Sequence, residues 1–258
     1  MVPTMFSHAV RHLALLSVLS LAAVVPGPAS ALERSSLRDL FFGGARQSAP
    51  AVSARYQVEA GGGFVFDTQP GKPAILKFED SPEIWALHAS PGPRGDVIYK
   101  NDLDEPVLRA TRLGGVTLFT PDQPEGLPAA RIGLASPPRM AVDMGPEVLW
   151  NIFVEASARA SRAAQRLVVF EGPEDLTPAT APVFADAAVV VSQAFARVSG
   201  QGKSGRVLLT RFSQVEFNAG RGPAAVARGE IVQITVCPDQ GVAGRPSSRK
   251  VAMVLARH

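Results

Sequence analysis

Two clusters of acidic side chains are the residues of this chain best suited to chemistry. Glu79, Asp80 and Glu83 lie together at a predicted turn. The second cluster lies between residues 96 and 105 and comprises Asp96, Asn101, Asp102, Asp104 and Glu105. Two carboxylates held about 5–10 Å apart can cleave a glycosidic bond, and oxygen-rich loops can bind calcium. The second cluster lacks the spacing of a calcium loop, and acidic turns between strands are usually solvated.

Histidine is too scarce to support most other catalytic sites. Beyond residue 31 the histidines are His88 and His258. Zinc sites need several histidine, cysteine or acidic ligands, and no HExxH, CxxC or HxH pattern occurs. A Ser-His-Asp site would depend on His88, which follows the apolar run Ile84–Leu87 and is predicted to be a packed or strand-edge histidine. The glycine-rich and serine-nucleophile motifs are also missing. The sequence predicts no metal site, no cofactor and no catalytic residue.

The single cysteine bears on stability more than on chemistry. Cys237 ends the predicted strand Ile231–Cys237, which favours a buried, inert thiol. A reactive thiol or an intermolecular disulfide is the alternative. An exported chain with one cysteine has no internal disulfide, so its stability must come from packing.

The first 31 residues have the features of a cleavable signal peptide. Arg11 precedes the apolar run Leu13–Val25, and Ala29–Ala31 has the small-x-small pattern that signal peptidase recognises. Cleavage is predicted after Ala31. The apolar run is shorter than the roughly 20 residues of a membrane anchor, and we find no later stop-transfer segment. We therefore expect a periplasmic protein with no transmembrane segment in the mature chain.

The charge distribution excludes nucleic acid as an expected partner. The chain has 26 Lys and Arg residues against 23 Asp and Glu residues, a formal net charge of +3. Both signs are scattered along the sequence. Nucleic-acid-binding proteins normally concentrate their basic residues on one face.

A leader and linker, residues 32–54, precede a β-rich module at residues 55–134. The module shows short runs of β-branched and aromatic residues separated by glycine and proline turns. Regularly spaced short strands of this kind predict a meander that forms a small barrel or a sandwich.

The region 146–258 mixes helices with further strands. Apolar residues three and four apart predict a helix over Pro146–Gln165. A second helix is predicted over Pro182–Val198, although the run Val189–Val191 leaves a strand open as an alternative. Additional strands are predicted near residues 207–212, 214–218, 230–237 and 251–255, with polar loops at 200–205 and 240–249. The fold class is α+β, and this region either shares one core with the β-rich module or forms its own.

Two features of the β-rich module have both a functional and a structural interpretation. Arg94-Gly95-Asp96 spells an adhesion tripeptide, but Gly95-Asp96 also suits a turn, and we interpret it as structural. Trp85, Tyr99 and Phe119 could line a surface that stacks on glycans, whereas aromatic residues in short strands more often belong to the core.

The segments RYQVEAGGGFVFD, ILKFEDSPEIWAL, PRGDVIYKND and LRATRLGGVTLFTP, between residues 55 and 121, resemble a known group of proteins. These are exported alphaproteobacterial proteins classed only as a domain of unknown function. The resemblance covers the first half of the mature chain well and the rest loosely. It implies a Gram-negative envelope setting, and no activity, cofactor or catalytic residue transfers with it.

The leading hypothesis is a non-catalytic protein that binds or scaffolds an envelope protein or glycan. Loops on a rigid β scaffold are where binding residues concentrate. The candidate binding residues are Glu79, Asp80, Arg94, Asp96, Asn101 and Asp102. The alternative is a hydrolase of envelope polysaccharide that uses two of Glu79, Asp80, Glu83 and Asp96.

Overall fold

Eight strands in the N-terminal part pair in chain order, and the last closes on the first. The structure, a computed structural model, describes residues 52–59 and 61–257. The predicted signal peptide, most of the leader and His258 lie outside the described residues. The strands are β1 Val52–Val58, β2 Gly63–Thr68, β3 Ala74–Phe78, β4 Ile84–Pro91, β5 Val97–Lys100, β6 Pro106–Ala110, β7 Val116–Thr120 and β8 Gln123–Leu134. All neighbours are antiparallel, and β1 pairs with β8, so the sheet is a closed barrel rather than a sandwich.

Apolar side chains that alternate along the strands fill the barrel. Phe64 and Phe66 of β2 point inward with Leu76, Leu87 and Leu108, all nearly inaccessible to solvent. The period of two along each strand places these residues on one face.

A row of aromatic rings runs across neighbouring barrel strands. Tyr56 stacks on Phe64 with ring centroids 5.2 Å apart. Phe64 meets Phe78 edge-on at 6.2 Å, and Phe78 meets Trp85 edge-on at 5.9 Å. Offset and edge-to-face contacts are the favoured geometries for aromatic pairs. This aromatic row fixes the orientation of Phe78 and Trp85 at its end.

The C-terminal part is a four-stranded sheet packed with helices. Its elements are α1 Pro146–Ala164, β9 Val169–Glu171, α2 Ala181–Ser199, α3 Lys203–Leu209, β10 Gln214–Ala219, β11 Ala224–Arg228, β12 Ile231–Val236 and α4 Ser248–Arg257. The strand order is β11-β12-β10-β9. β10 is parallel to both β9 and β12, and β11 is antiparallel to β12. Helices followed by this mixed sheet confirm the α+β class.

Helix α2 lies at the centre of the C-terminal core. The structure settles residues 182–198 as helical, and Val190 and Val191 are fully buried in it. α2 is long and apolar enough to cross a membrane, and 72% of its apolar window is buried inside the protein. Packing on several sides accounts for the nearly continuous apolar sequence that made a strand plausible.

The strands predicted near residues 207–212 and 251–255 are wrong, because the first overlaps the end of a helix and a turn and the second lies within a helix. Residues 203–209 form the short helix α3, and the segment around 251–255 belongs to α4. Val251 and Leu255 are four residues apart, so a helix places both on its buried face. Ser247 caps α4, since its Oγ accepts the N–H of Lys250 at 3.1 Å and its carbonyl accepts the N–H of Val251 at 3.0 Å.

Candidate functional site

Residues 245–249, which we call the junction segment, connect the sheet to the barrel through buried polar contacts. The side chain of Arg245 is 2% exposed. Its Nε donates to Asp186 of α2 at 2.5 Å, and its Nη2 donates to the carbonyl of Ile84 in β4 at 2.7 Å. Nη1 lies 3.7 Å from the carboxylate of Glu83. The guanidinium of Arg245 therefore hydrogen-bonds to both helix α2 and barrel strand β4.

The carboxylate of Glu83 binds the first turn of α4. Glu83 is 1% exposed, and its Oε1 accepts the backbone N–H of Ser248 at 2.9 Å. Its Oε2 accepts the Ser248 hydroxyl at 2.5 Å. The N–H groups at the start of a helix lack partners within the helix and favour negative charge. Glu83, which directly precedes barrel strand β4, supplies both the hydrogen-bond acceptor and the negative charge at the start of α4.

The turn between β5 and β6 makes the second set of junction contacts. Asn101 organises the turn, because its Oδ1 accepts the N–H groups of Leu103 at 2.9 Å and Glu105 at 3.0 Å. Asp102 accepts the N–H of Ser247 at 2.9 Å and its hydroxyl at 2.6 Å. Glu105 pairs with Arg249 of α4 at 2.9 Å. Two acids of this turn, Asp102 and Glu105, bind the start of α4, whereas Asp104 is exposed as expected for a solvated turn.

A cleft of about 640 Å³ opens beside these contacts, and we call it the junction cleft. Its lining comprises Phe78, Asp80, Ser81, Glu83, Trp85, Asn101, Glu105, Pro106, Val107, Phe119, Thr120, Pro121, Pro124, Arg197 and Arg249. The volume falls in the range of about 300–1,000 Å³ that is typical of small-molecule sites. The cleft is formed by barrel strands and loops on one side and by α2 and α4 on the other.

Packing on the barrel orients two of the aromatic rings that line the junction cleft. Phe78 and Trp85 end the aromatic row, so one side of each ring packs on the barrel interior. Phe119 of β7 adds a third ring to the lining. All three side chains are half-buried. Because packing already orients Phe78 and Trp85, stacking on a ligand would cost these two side chains little conformational freedom.

Most of the charge in the junction cleft is already neutralised. Glu83 binds Ser248 and Arg245, and Glu105 pairs with Arg249. Within residues 52–257, Asp80 makes no ion pair. Arg197 contacts the Ser248 hydroxyl at 3.5 Å and has no acidic partner in the same range. The cleft thus offers one free carboxylate and one free guanidinium next to three aromatic rings.

The structure brings three of the six predicted binding residues together. Asp80 and Asn101 line the junction cleft, and Asp102 binds the junction segment beside it. Glu79 forms an exposed ion pair with Arg55 on β1. Arg94 lies in the turn that follows β4, and Asp96 lies directly after that turn.

The Arg94-Gly95-Asp96 tripeptide is a turn, as expected. Arg94 and Gly95 both adopt positive φ angles, 60° and 80°. Asp96 is buried, and its carboxylate accepts the Nε of Arg109 at 2.6 Å. Because this carboxylate is engaged within the barrel, the tripeptide does not present its acid as a free group.

His88 and Cys237 occupy positions that do not form a site. His88 is an exposed residue in the middle of β4, opposite Lys100 of β5, rather than a packed or strand-edge histidine, and its Nε2 lies 3.2 Å from Asp104. Hydrogen bonds from Lys100 and then His88 hold the pKa of Asp104 below its ordinary value. Cys237 is a free, buried thiol, as its strand context predicts. Among the described residues, no group of histidine, cysteine and acidic side chains is arranged to hold a metal ion.

Comparison with known families gives a match over most of the chain. The model of the family described as Domain of unknown function (DUF4908) matches residues 36–255. The chain belongs to this family. The match spans the barrel, the junction segment and the sheet, and it agrees with the expected membership of a family defined only as a domain of unknown function. No curated protein and no solved structure matches this DUF4908 chain.

The residues that complete the DUF4908 site escaped sequence analysis. Arg245, Ser247 and Arg249 fall in a segment predicted to be a polar loop, and Arg197 lies in a helix whose contacts were unknown. One signal was present, because Ser247 and Ser248 precede apolar residues spaced four apart, which is typical of a capped helix. Recognising that helix would have drawn attention to acidic residues able to bind its first turn.

The two tyrosines of the DUF4908 chain provide a test of barrel burial. Burial raises the pKa of Tyr56 and Tyr99 above 10.0, with a smaller opposing effect of Arg131 on Tyr56. We predict that phenolate absorbance titrates above pH 10 in the folded protein and near pH 10 in concentrated guanidinium chloride. Between pH 10 and the raised pKa values of the folded protein, the unfolded chain binds fewer protons than the folded chain. The free energy of unfolding therefore falls as pH rises through this range. Both phenols titrating at the ordinary value in the folded state would contradict the barrel interior described above.

Proposed function

We propose that this chain is an exported, non-catalytic binding protein of the cell envelope, and that the junction cleft binds a segment of envelope glycan. One observation carries the proposal. Three half-buried aromatic rings line a cleft in which the carboxylates of Glu83 and Glu105 are already bound to the protein's own arginine and serine residues. Such a cleft has apolar faces and hydrogen-bonding groups but little uncompensated charge.

A glycan suits this combination of groups. The C–H faces of a sugar ring pack against aromatic rings, of which Phe78, Trp85 and Phe119 supply three. Sugar hydroxyls can donate to the free carboxylate of Asp80 and accept from Arg197. The balance of one free acid and one free base favours a neutral or zwitterionic ligand over a strongly charged one.

The carboxylates favour binding over hydrolysis. Glycoside hydrolysis requires two carboxyl groups, one of them a proton donor, on either side of the scissile bond. Glu83 accepts two hydrogen bonds from Ser248 and lies 3.7 Å from the guanidinium of Arg245, so both of its oxygens already have partners within the protein. Of the other hydrolase candidates, Glu79 pairs with Arg55 and Asp96 with Arg109. Hydrolysis remains the second candidate function because Asp80 and Glu83 line the same cleft as Trp85.

Export is supported by the N-terminal sequence. The apolar run Leu13–Val25 and the small residues Ala29–Ala31 match a signal peptide and its cleavage site. The sample for every binding test is therefore protein purified from the periplasm after expression with its own N-terminus. Its intact mass is expected to correspond to a chain that begins at Leu32.

We predict that the protein co-sediments with insoluble peptidoglycan and that Trp85→Ala lowers the association constant about tenfold. That factor corresponds to the loss of roughly 1.5 kcal/mol of aromatic contact. Trp150→Ala is the matched control, because Trp150 is the only other tryptophan of the chain and lies outside the cleft. The measurement is the bound fraction as a function of peptidoglycan concentration.

The same assay separates binding from hydrolysis. Release of reducing sugar ends by the wild type, lost in Asp80→Asn, would establish the hydrolase instead. Equal retention of both tryptophan variants, or no retention of the wild type, would contradict a glycan site in the junction cleft.

A further inference from the structure

A second concave surface lies at one edge of the C-terminal sheet, and we call it the edge groove. It has a volume of about 470 Å³, and its lining includes Leu149, Trp150, Phe153, Val169, Glu171 and Leu176. Strand β9 is the last strand in the sheet order, and no strand of the described residues pairs with its outer side. Helix α1 covers the outer side of the chain just before β9, because Ser157 and Ser161 bond to the backbone of Val168. The groove therefore combines an apolar floor with a short strand whose outer side has no strand partner beyond that point.

One residue of β9, Phe170, directs its backbone groups away from β10. The N–H of Val169 donates to the carbonyl of Ser213 at 2.9 Å, so Val169 directs its backbone groups toward β10. Successive residues of a strand direct these groups to opposite sides, so Phe170 directs its N–H and C=O outward. Consecutive residues from Val169 to Pro173 line the groove, as expected where the strand's edge itself forms the wall. An open edge of this kind is a template for a further strand.

Apolar side chains are exposed around the open edge. Trp150 is 68% exposed at the rim of the groove, and Val169 is 41% exposed beside it. Leu167, two residues before Val169, is 70% exposed. Clustered exposed apolar residues next to a strand edge are typical of interaction surfaces.

The charge in and next to the edge groove is negative. Glu171 lines it, and the residues adjacent in sequence to its lining include Glu147, Glu174 and Asp175. Arg166, the nearest preceding base in the chain, donates instead to the carbonyl of Thr210 at 2.6 Å and lies 3.4 Å from Glu230. The Glu171 carboxylate accepts a hydrogen bond from the neutral Gln214 at 2.8 Å, so it keeps its negative charge uncompensated and favours a partner that carries positive charge.

We propose that the edge groove binds an extended segment of a partner protein in which basic residues alternate with apolar ones. The segment adds to the sheet as a strand on the outer side of β9. Its backbone bonds to Phe170, an apolar side chain enters the groove beside Trp150, and its Lys or Arg residues face the acidic rim. This site is separate from the junction cleft and does not depend on a glycan ligand.

The test uses Trp85→Phe protein, in which Trp150 is the sole tryptophan. The probe is a blocked hexapeptide of alternating lysine and apolar residues, KVKFKV, and the acidic peptide EVEFEV is its control. We expect KVKFKV to shift Trp150 emission to the blue with an affinity that falls as salt rises, and EVEFEV to have no effect. Glu171→Lys is expected to weaken KVKFKV about tenfold, whereas Glu125→Lys, the same charge change on the barrel strand β8, leaves it unchanged.

Three results would overturn the proposal. The first is an unchanged Trp150 emission with KVKFKV, and the second is equal binding of both peptides. The third is a dimer in sedimentation equilibrium that Trp150→Ala dissociates, because a second copy of the chain would then occupy the groove.

Discussion

Replacing Arg245 by methionine is expected to destabilise the folded protein by about 3–5 kcal/mol, the usual cost of removing one member of a buried ion pair. The arginine side chain is 2% exposed and contacts Asp186, Glu83 and the carbonyl of Ile84. Methionine fills much of the same volume but leaves both carboxylates without their charged partner. The measurement is the free energy of unfolding from urea titration monitored by circular dichroism.

The matched control for Arg245→Met is Arg55→Met. Arg55 also pairs with a glutamate, Glu79, but this pair is exposed on the barrel surface. Exposed pairs are screened by solvent and contribute little to stability, so we expect little change. Adding Glu83→Gln and Asp186→Asn to Arg245→Met should restore part of the stability, since both unpaired charges are then removed. Similar small effects of Arg55→Met and Arg245→Met would show that the junction contacts do not hold the two parts of the protein together.

Replacing Phe217 by alanine is expected to cost a similar 3–5 kcal/mol, for a different reason. Phe217 lies on β10, is 1% exposed, and its ring centroid is 5.1 Å from that of Phe153 and 5.5 Å from that of Phe170. Its removal leaves a cavity between α1 and the sheet that the neighbouring rings only partly fill. The readout is again the free energy of unfolding in urea.

Trp150→Ala is the control for Phe217→Ala. It removes a larger aromatic side chain, but one that is 68% exposed, so the expected change is within about 0.5 kcal/mol. A loss of several kcal/mol in Trp150→Ala would mean that this side chain belongs to the core rather than to an interaction surface. A neutral Phe217→Ala would contradict the packing of α1 on β10.

The regular elements were predictable where local pattern decides them. Short apolar runs separated by glycine turns indicated the antiparallel meander, and the three- and four-residue spacing of Leu149, Ile152 and Phe153 indicated α1. Closure of the barrel was not encoded locally, because it depends on β1 pairing with β8 across the whole module. The choice between barrel and sandwich therefore needed the structure.

The site was harder to predict because its partners are distant in sequence. Glu83 and Ser248 are 165 residues apart, and Asp102 and Ser247 are 145 apart. Sequence analysis predicts that a carboxylate in a turn is exposed to solvent, because it does not show which distant element packs over that turn. The aromatic residues were the better guide: Trp85 and Phe119, considered as glycan-stacking or core residues, both line the junction cleft, and Trp85 also packs on the barrel core.

The most direct test of a glycan site in the junction cleft is a fluorescence titration of Trp150→Phe protein, whose sole tryptophan is Trp85. The titrant is a soluble peptidoglycan oligosaccharide of alternating N-acetylated sugars. We predict a saturable change in Trp85 emission that Phe119→Ala weakens, because both rings line the same cleft. An unchanged Trp85 emission at saturating oligosaccharide, with the protein fully folded, would contradict a glycan site in the junction cleft.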